Sequence, residues 1–237
     1  AFAIRVGVST NRGSSAMSGR PSAAHRPVNS ASVTAEADAE LVEQVPTIAE
    51  ALVLDDIIEA GGGDDTVVAG AGNDSVFGDE GADDIAAGAG DDTVFGGDDA
   101  DTISGGGDDD SLFGQAGADS LMGDAGNDNL EGGAGDDTLE GGADADTLNG
   151  GADNDSLNGG SGDDSLLGSF GDDTLNGGTG ADTLEGGFGD DTFEITDNFG
   201  DDQIFGEGDL ETNGDTLDLS GVTTGVTVDL TSSNPED

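Results

Sequence analysis

Residues 132–140 read Gly-Gly-Ala-Gly-Asp-Asp-Thr-Leu-Glu, a stretch with three glycines, two adjacent aspartates and one large apolar residue. Taken alone, such a segment has too few core-forming side chains to fold. It is one of fifteen consecutive nonapeptides that run without insertion from residue 60 to residue 194. Low-complexity sequence does not keep a phase over this length, so the periodicity predicts a repeat architecture.

Each position of the nonapeptide has its own residue type. Position eight is always apolar, position four is glycine in eleven copies, and position seven is Ser or Thr in thirteen. Glycines permit a tight turn whose carbonyls point inward, and a polar-apolar alternation predicts a short strand with one inward side chain. Position six is aspartate in every copy: Asp65, Asp74, Asp83, Asp92, Asp101, Asp110, Asp119, Asp128, Asp137, Asp146, Asp155, Asp164, Asp173, Asp182 and Asp191.

Phenylalanines indicate how many residues make one turn of the coil. Phe77, Phe95 and Phe113 recur every eighteen residues at position nine, and Phe170 and Phe188 do so at position three. Because like residues stack in parallel coils, two nonapeptides should make one turn. The sequence therefore predicts an all-β fold, a right-handed parallel β-roll (a β-solenoid) with eighteen residues per turn. At ~4.8 Å between strands it would be roughly 35 Å long, with the first phenylalanine column exposed.

The charge of the chain limits its partners. It carries 54 acids and four arginines, for a formal net charge of -50, and every arginine lies in the first 26 residues together with the only histidine, His25. Nucleic acid and anionic membrane surfaces repel such a polyanion, and no apolar run is long enough to span a membrane. We therefore expect cations as partners, no nucleic acid and no membrane span. Neither H-E-x-x-H nor G-x-S-x-G occurs, which predicts a protein that is not an enzyme.

The consensus G-G-x-G-x-D-x-U-x, with U a large apolar residue, resembles the calcium-binding nonapeptide of the repeats-in-toxin (RTX) family. The resemblance implies that each calcium ion lies between one turn and the turn eighteen residues later. The first turn would supply its aspartate and the carbonyls of positions two and four; the second would supply its aspartate and those of positions one and three. For the opening stretch this implies Gly133, Gly135 and Asp137 with Gly150, Ala152 and Asp155. Fifteen copies offer thirteen such slots, hence up to about 13 Ca²⁺.

Electrostatics gives an independent reason for an ion. Stacked carboxylates ~4.8 Å apart repel by on the order of 3 kcal/mol per adjacent pair at an effective dielectric of about 20. Carboxylate and carbonyl oxygens favour calcium, and the repeats contain no cysteine or histidine for softer metals. We expect weaker binding where aspartate replaces glycine at position four, since it must adopt a glycine-like conformation: Asp99, Asp108, Asp144 and Asp153. The position-five acids, such as Asp64, are expected to form a solvated rim.

The flanking segments differ from the repeats at 60–194. Residues 1–45 predict a disordered leader without a visible signal peptide, and 46–59 predict an N-terminal cap of the roll. That cap is either a short helix or a glycine-less rung in which Asp56 and Ile58 continue the register. Residues 195–237 predict a small β C-terminal capping segment, in which Asp202 and Ile204 come two residues late.

These features predict a calcium-binding RTX β-roll module that is secreted and folds on binding Ca²⁺ outside the cell. The resemblance implies export through a type I secretion apparatus and an extracellular location, or the cell surface. One alternative is a structural or adhesive array, which would self-associate; ice-binding arrays belong here, but only Thr179 fits their threonine pattern at position three. Others are the C-terminal part of a larger secreted RTX enzyme or toxin, with a fused effector domain, and a low-affinity calcium store.

Overall fold

The fold is a solenoid of short parallel strands. The computed structural model describes residues 31–34, 47–48, 55–196, 200–206 and 214–221. These residues form twenty strands and no helix, so the described residues include no helix that could cross a membrane. The strands make two ten-stranded sheets, one from the odd-numbered and one from the even-numbered strands, and all the pairings are parallel.

The first sheet contains β1(Ala31–Thr34), β3(Asp56–Gly62), β5(Ser75–Glu80), β7(Thr93–Asp98), β9(Ser111–Ala116), β11(Asn129–Ala134), β13(Thr147–Ala152), β15(Ser165–Phe170), β17(Thr183–Phe188) and β19(Gln203–Phe205). The second contains β2(Thr47–Ile48), β4(Thr66–Ala71), β6(Asp84–Ala89), β8(Thr102–Gly107), β10(Ser120–Ala125), β12(Thr138–Ala143), β14(Ser156–Ser161), β16(Thr174–Thr179), β18(Thr192–Thr196) and β20(Thr216–Gly221).

The register confirms that eighteen residues make one turn. Leu130 lies opposite Leu148 in the first sheet, and Leu139 lies opposite Leu157 in the second. Positions eight and one point into the space between the sheets, where every position-eight side chain from Val67 to Phe193 is buried. The core is therefore a stack of aliphatic side chains, and the polar turns lie along its two edges.

The turns hold non-glycine residues in the left-handed region that glycine favours. Asp99, Asp108, Asp144 and Asp153 have φ between 74° and 77°, which confirms the glycine-like conformation expected for them. Position two also requires a positive φ, which was not predicted from the sequence. Its non-glycine residues have φ between 74° and 85°: Asp79, Gln115, Asp124 and Ser169.

Both ends of the repeats are continued by irregular turns. Ile58 is buried in β3 and lies opposite Val76, so residues 56–59 form the glycine-less rung, whereas residues 49–54 lie outside the described residues. β1 lies within the segment expected as a leader, and the remainder of residues 1–45 is outside the described residues. At the C-terminal end Ile204 lies opposite Leu184, and Leu217 lies opposite Phe193. The extra residues therefore leave the inward side chains aligned, although the pairing of β18 with β20 shifts register between Glu194 and Thr196.

Candidate metal-binding turns

Aspartates at position six form one continuous ladder along each edge of the solenoid. In both ladders the backbone N–H of each aspartate donates to Oδ1 of the aspartate in the next turn, at 2.7–3.1 Å. One ladder contains Asp65, Asp83, Asp101, Asp119, Asp137, Asp155, Asp173, Asp191 and Asp215. The other contains Asp56, Asp74, Asp92, Asp110, Asp128, Asp146, Asp164, Asp182 and Asp202.

Asp137 illustrates how the polar atoms of these residues are satisfied. Its N–H donates to Asp155 Oδ1 at 2.8 Å, its own Oδ1 accepts from Asp119 N–H at 2.8 Å, and its carbonyl accepts from Ser156 N–H at 2.9 Å. Its Oδ2 is buried and has no hydrogen-bond partner, and the same holds for the position-six aspartates of all fifteen copies. A buried carboxylate oxygen without a partner is costly, so fifteen of them in register favour the binding of cations at these turns.

In copies with glycine at position one, the space beside Oδ2 is the space that a Cβ atom at position one would occupy. A methyl group built on Gly132 would collide with Asp137 Oδ2 and would lie 2.7 Å from the carbonyl oxygen of Gly150, in the next turn. A methyl group on Gly114 would likewise meet Asp119 Oδ2 and Gly132 O. One on Gly159 would meet Asp164 Oδ2 and Gly177 O. In these turns the unpartnered carboxylate oxygen and the position-one carbonyl of the following turn converge.

Burial raises the pKa of the position-six carboxyls. The pKa rises to about 7 for Asp101, Asp110, Asp146 and Asp155. It rises to about 6 for Asp65, Asp92, Asp137, Asp164 and Asp173. Loss of solvation is the largest cause and neighbouring carboxylates add to it, while the backbone N–H bond, present in all of these but Asp65, acts in the opposite direction. Without a cation, these carboxyls therefore take up protons at a higher pH than exposed carboxyls do.

Carbonyl groups of the turns complete the set of oxygen atoms. A methyl group on Gly151 would collide with Gly133 O, and one on Gly135 would collide with Gly117 O, so the carbonyls of positions two and four point along the stack toward the next turn. From Gly63 to Gly171, the position-four carbonyls accept no hydrogen bond within the described part of the chain. These oxygens are available to a cation.

The six residues implied for the opening stretch lie in two stacked turns. Asp137 Oδ2 and Gly150 O converge, and Gly133 O points toward the next turn. Asp155 uses its Oδ1 to accept the N–H of Asp137, and Ala152 uses its carbonyl to accept the N–H of Gly135 at 3.1 Å. Ala152 therefore has only its second lone pair for an ion. The assignment of all six as ligands stays a prediction.

Turns with aspartate at position four lack one hydrogen bond. In nine turns with glycine there, the position-four N–H donates to the position-three carbonyl of the next turn, as Gly135 does. Within the described residues none of the four aspartates makes this bond: Asp99, Asp108, Asp144 and Asp153. The expectation of weaker binding at these turns stays a prediction, and the missing bond gives it a structural reason.

Side chains alone do not provide a complete metal site. Among the described residues no three His, Cys, Asp or Glu side chains cluster so that they could hold a metal ion. Any ion between the turns must therefore take backbone carbonyls together with aspartate oxygens. Calcium prefers this mixture of carboxylate and carbonyl oxygens, so the donor atoms of the turns fit calcium.

Position five forms a second ladder that the sequence analysis missed. All of these residues but the half-buried Asp190 are exposed, as expected of a rim, but their Oδ1 atoms accept the backbone N–H of position five in the next turn. On one edge the ladder runs Asp55, Asn73, Asp91, Asp109, Asn127 and ends at the N–H of Ala145. In this ladder each Oδ1 accepts an N–H of the following turn, whereas at position six each Oδ1 accepts an N–H of the preceding turn. The confinement of position five to Asp, Asn and Ala was the signal for it.

The phenylalanine columns stack as expected, but the first one is less exposed. Ring centroids are 5.2 Å apart for Phe77 and Phe95 and 4.9 Å apart for Phe95 and Phe113. The expectation that this column is exposed was wrong, because each stacked ring covers its neighbours and leaves all three half-buried. Phe170 and Phe188 also stack, at 5.2 Å, and remain 60% and 47% exposed.

Comparison with known proteins gives one family match. The model of the RTX calcium-binding nonapeptide repeat matches residues 54–85, 77–112, 86–121, 95–130, 122–157, 131–166 and 158–193. No curated protein matches the chain. Among solved structures, the chain is similar to a hyperactive, Ca²⁺-dependent, beta-helical antifreeze protein from an Antarctic bacterium, with 26% identity and a TM-score of 0.47. That similarity covers 74% of this chain and 76% of the other.

Proposed function

Because the chain belongs to the RTX calcium-binding nonapeptide repeat family, we propose that it is a secreted module that folds when calcium binds between its turns outside the cell. The observation that carries the proposal is the set of fifteen buried Oδ2 atoms without a hydrogen-bond partner. Fourteen of these aspartates, all but Asp65, bond their N–H, carbonyl and Oδ1 to neighbouring turns within the described residues. A divalent cation would satisfy these oxygens and neutralise the ladders.

Folding without the ion is disfavoured because each turn has little else to stabilise it. Eighteen residues are ordered per turn, but only two large side chains are buried, as Leu139 and Leu148 are. The pairing that stacks these side chains also brings successive carboxylates together. Ion binding would replace that repulsion with attraction, so binding free energy would become folding free energy.

Each ion would be held by one carboxylate from each of two stacked turns and by carbonyls of both. At the turns of Asp137 and Asp155, the candidates are these two carboxylates with the carbonyls of Gly133, Gly135, Gly150 and Ala152. Bound calcium would act as a structural cross-link and as a counter-charge. Thirteen ions would offset 26 of the 54 negative charges.

The calcium gradient across the cell boundary gives this dependence a use. A chain whose fold needs calcium stays unfolded where free calcium is low and folds where it is high. RTX repeats are typical of secreted proteins, which supports export of the unfolded chain, by a type I apparatus, and folding outside. We propose a binding module, which serves a fused effector or stands alone, and not an enzyme.

Calcium titration followed by far-ultraviolet circular dichroism tests this function. In EDTA the chain should give the spectrum of an unfolded polypeptide, and millimolar calcium should produce the β spectrum cooperatively. Magnesium at the same concentration is the control and should fail, because it demands tighter octahedral geometry and keeps its water. A β spectrum that persists in EDTA would contradict the proposal.

A structural or adhesive array is the second candidate function, favoured by the exposed stack of Phe170 and Phe188. Exposed aromatic surface at one place on a highly charged body is a feature of contact sites. Sedimentation velocity in calcium tests it: wild type should associate, and the double substitution Phe170→Ser, Phe188→Ser should be monomeric. A wild-type protein that is monomeric at all concentrations would exclude self-association through this stack.

A further inference from the structure

Two turns beyond the fifteenth nonapeptide continue the aspartate ladders, although each contains extra residues. Asp202 follows Asp182 after twenty residues, and Asp215 follows Asp191 after twenty-four, in place of the regular eighteen. Both lie outside the span of the family match, which ends at residue 193. The two turns differ in whether they leave room for an ion.

Asp215 reproduces the contacts of a regular position-six aspartate. Its Oδ1 accepts the N–H of Asp191 at 3.1 Å, and the N–H of Thr216 donates to the carbonyl of Asp191 at 2.7 Å. The extra residues between Gly206 and Asp215 thus leave the ladder bonds intact. Leu217 lies opposite Phe193, so the core side chain that follows is also in register.

Gly206 takes the place that position one has in a regular turn. A methyl group built on Gly206 would collide with Asp215 Oδ2, as one on Gly132 would with Asp137 Oδ2. The glycine precedes its aspartate by nine residues here and by five in the repeats. Asp191, 1% exposed, presents a buried Oδ2 without a hydrogen-bond partner beside Gly186. In regular turns this is the oxygen that converges with the position-one carbonyl of the next turn.

Asp202 makes the ladder bonds too, but its turn closes off a carbonyl. Its Oδ1 accepts the N–H of Asp182 at 3.0 Å, and the N–H of Gln203 donates to the carbonyl of Asp182 at 2.8 Å. However, the N–H of Gly200 donates to Gly180 O at 2.6 Å. Gly180 is at position four, whose carbonyls from Gly63 to Gly171 accept no hydrogen bond in the described residues. Because the N–H hydrogen carries a partial positive charge, its bond to this oxygen disfavours a cation at the same place.

We propose that Asp191 and Asp215, with the carbonyl of Gly206, hold one calcium ion beyond the thirteen slots of the repeats, and that the level of Asp182 and Asp202 does not. This inference rests on the proposed function. It makes one edge of the solenoid end on an ion and the other on a backbone hydrogen bond. The extra ion would hold the edge strand β20 against the last repeat.

Native mass spectrometry of the full chain in calcium counts the ions. Asp215→Asn should bind one ion fewer than wild type, while Asp202→Asn should bind the same number. Asparagine keeps the Oδ1 acceptor of the ladder and removes the charge, so both variants should fold, which circular dichroism checks. Asp137→Asn, in a regular turn, is the control that must also lose bound calcium.

Gly206→Ala is a second variant, because its methyl group meets Asp215 Oδ2 and leaves the charge unchanged. It should also lose one ion, and loss of none by both Asp215→Asn and Gly206→Ala would overturn the proposed site. Loss of an ion by Asp202→Asn would overturn the distinction between the two edges. A wild-type chain that binds no calcium would instead refute the proposed function, so the two failures are distinguishable.

Discussion

The first repeats and the later ones fill the same core in different ways. Three of the first four copies have alanine at position one, and each of these has valine at position eight: Ala60 with Val67, Ala69 with Val76, and Ala87 with Val94. The other twelve copies have glycine at position one and isoleucine, leucine or, in the last, phenylalanine at position eight. Both positions face the core, and these alanines and valines are at most 1% exposed.

This difference indicates that core volume is conserved while the shape of the turn changes. Replacing Ala by Gly removes one carbon, and replacing Val by Ile or Leu adds one, so close packing is kept. At position one, however, a methyl group meets the space where the carboxylate oxygen and the next carbonyl converge, as the Gly132 geometry shows. Copies with glycine at position one have the additional carbon at position eight, which leaves this space in the turn free for an ion. We therefore expect the later copies to be the better ion sites.

Acidification should have the largest effect, because it acts on every copy. A folded-state pKa raised above the unfolded value means that the calcium-free fold loses stability as pH rises through about 4 to 7, and gains it as pH falls. The raised values occur in both kinds of copy, since the pKa reaches about 6 for Asp65 and Asp92 in alanine copies and about 6 for Asp137 in a glycine copy. In EDTA, circular dichroism should show β structure increasing between pH 7 and pH 5. A loss of β structure on acidification would contradict the pKa directions.

Truncation of the core should come next and should differ between the two kinds of copy. Leu139→Ala removes more buried hydrocarbon than Val94→Ala, so we expect a loss of about 2–5 kcal/mol for the leucine and a smaller loss for the valine. Thermal unfolding in saturating calcium measures both. Equal losses of unfolding free energy would show that the position-eight leucine does not contribute more to the core than the position-eight valine does.

Gly132→Ala should convert a later copy toward the early type. Its methyl group collides with Asp137 Oδ2, so we expect about 1–3 kcal/mol of destabilisation and weaker calcium binding. Adding Leu139→Val restores the carbon count and should recover stability at saturating calcium without restoring affinity. Calorimetric titration measures the calcium affinity separately from the stability. If the double variant recovered both, the alanine methyl group could not be what weakens calcium binding.

Ala87→Gly, the reverse change in an early copy, should have the smallest effect. It removes one buried methyl group, which we expect to destabilise the fold by about 1 kcal/mol. Val94→Leu in the same chain should restore this loss and leave a turn of the later type. Thermal unfolding of the single and double variants provides the measurement, and a double variant less stable than Ala87→Gly would contradict volume compensation.

The parts of the structure that repeat were predictable from sequence, and those that break the repeat were less so. Eighteen-residue turns, buried position-eight side chains and the position-six column follow from strict periodicity. Periodicity carries no information about the direction of a hydrogen bond, so the position-five ladder was missed. Insertions also hide equivalence: Asp202 was recognisable two residues late, but nothing in the spacing of Gly206 and Asp215 identifies them as a turn. Burial of Phe95 depends on its stacked neighbours, which a residue type alone does not specify.

Hydrogen exchange at the amides of the position-six aspartates tests the central claim most directly. Each of these N–H groups donates to the carboxylate of the next turn, so its protection reports the ladder that calcium is proposed to stabilise. From Asp65 to Asp191 we expect slow exchange in calcium and rapid exchange, typical of an unfolded chain, in EDTA. Slow exchange of these amides in EDTA at neutral pH would mean that the ladders form without an ion and would contradict the account.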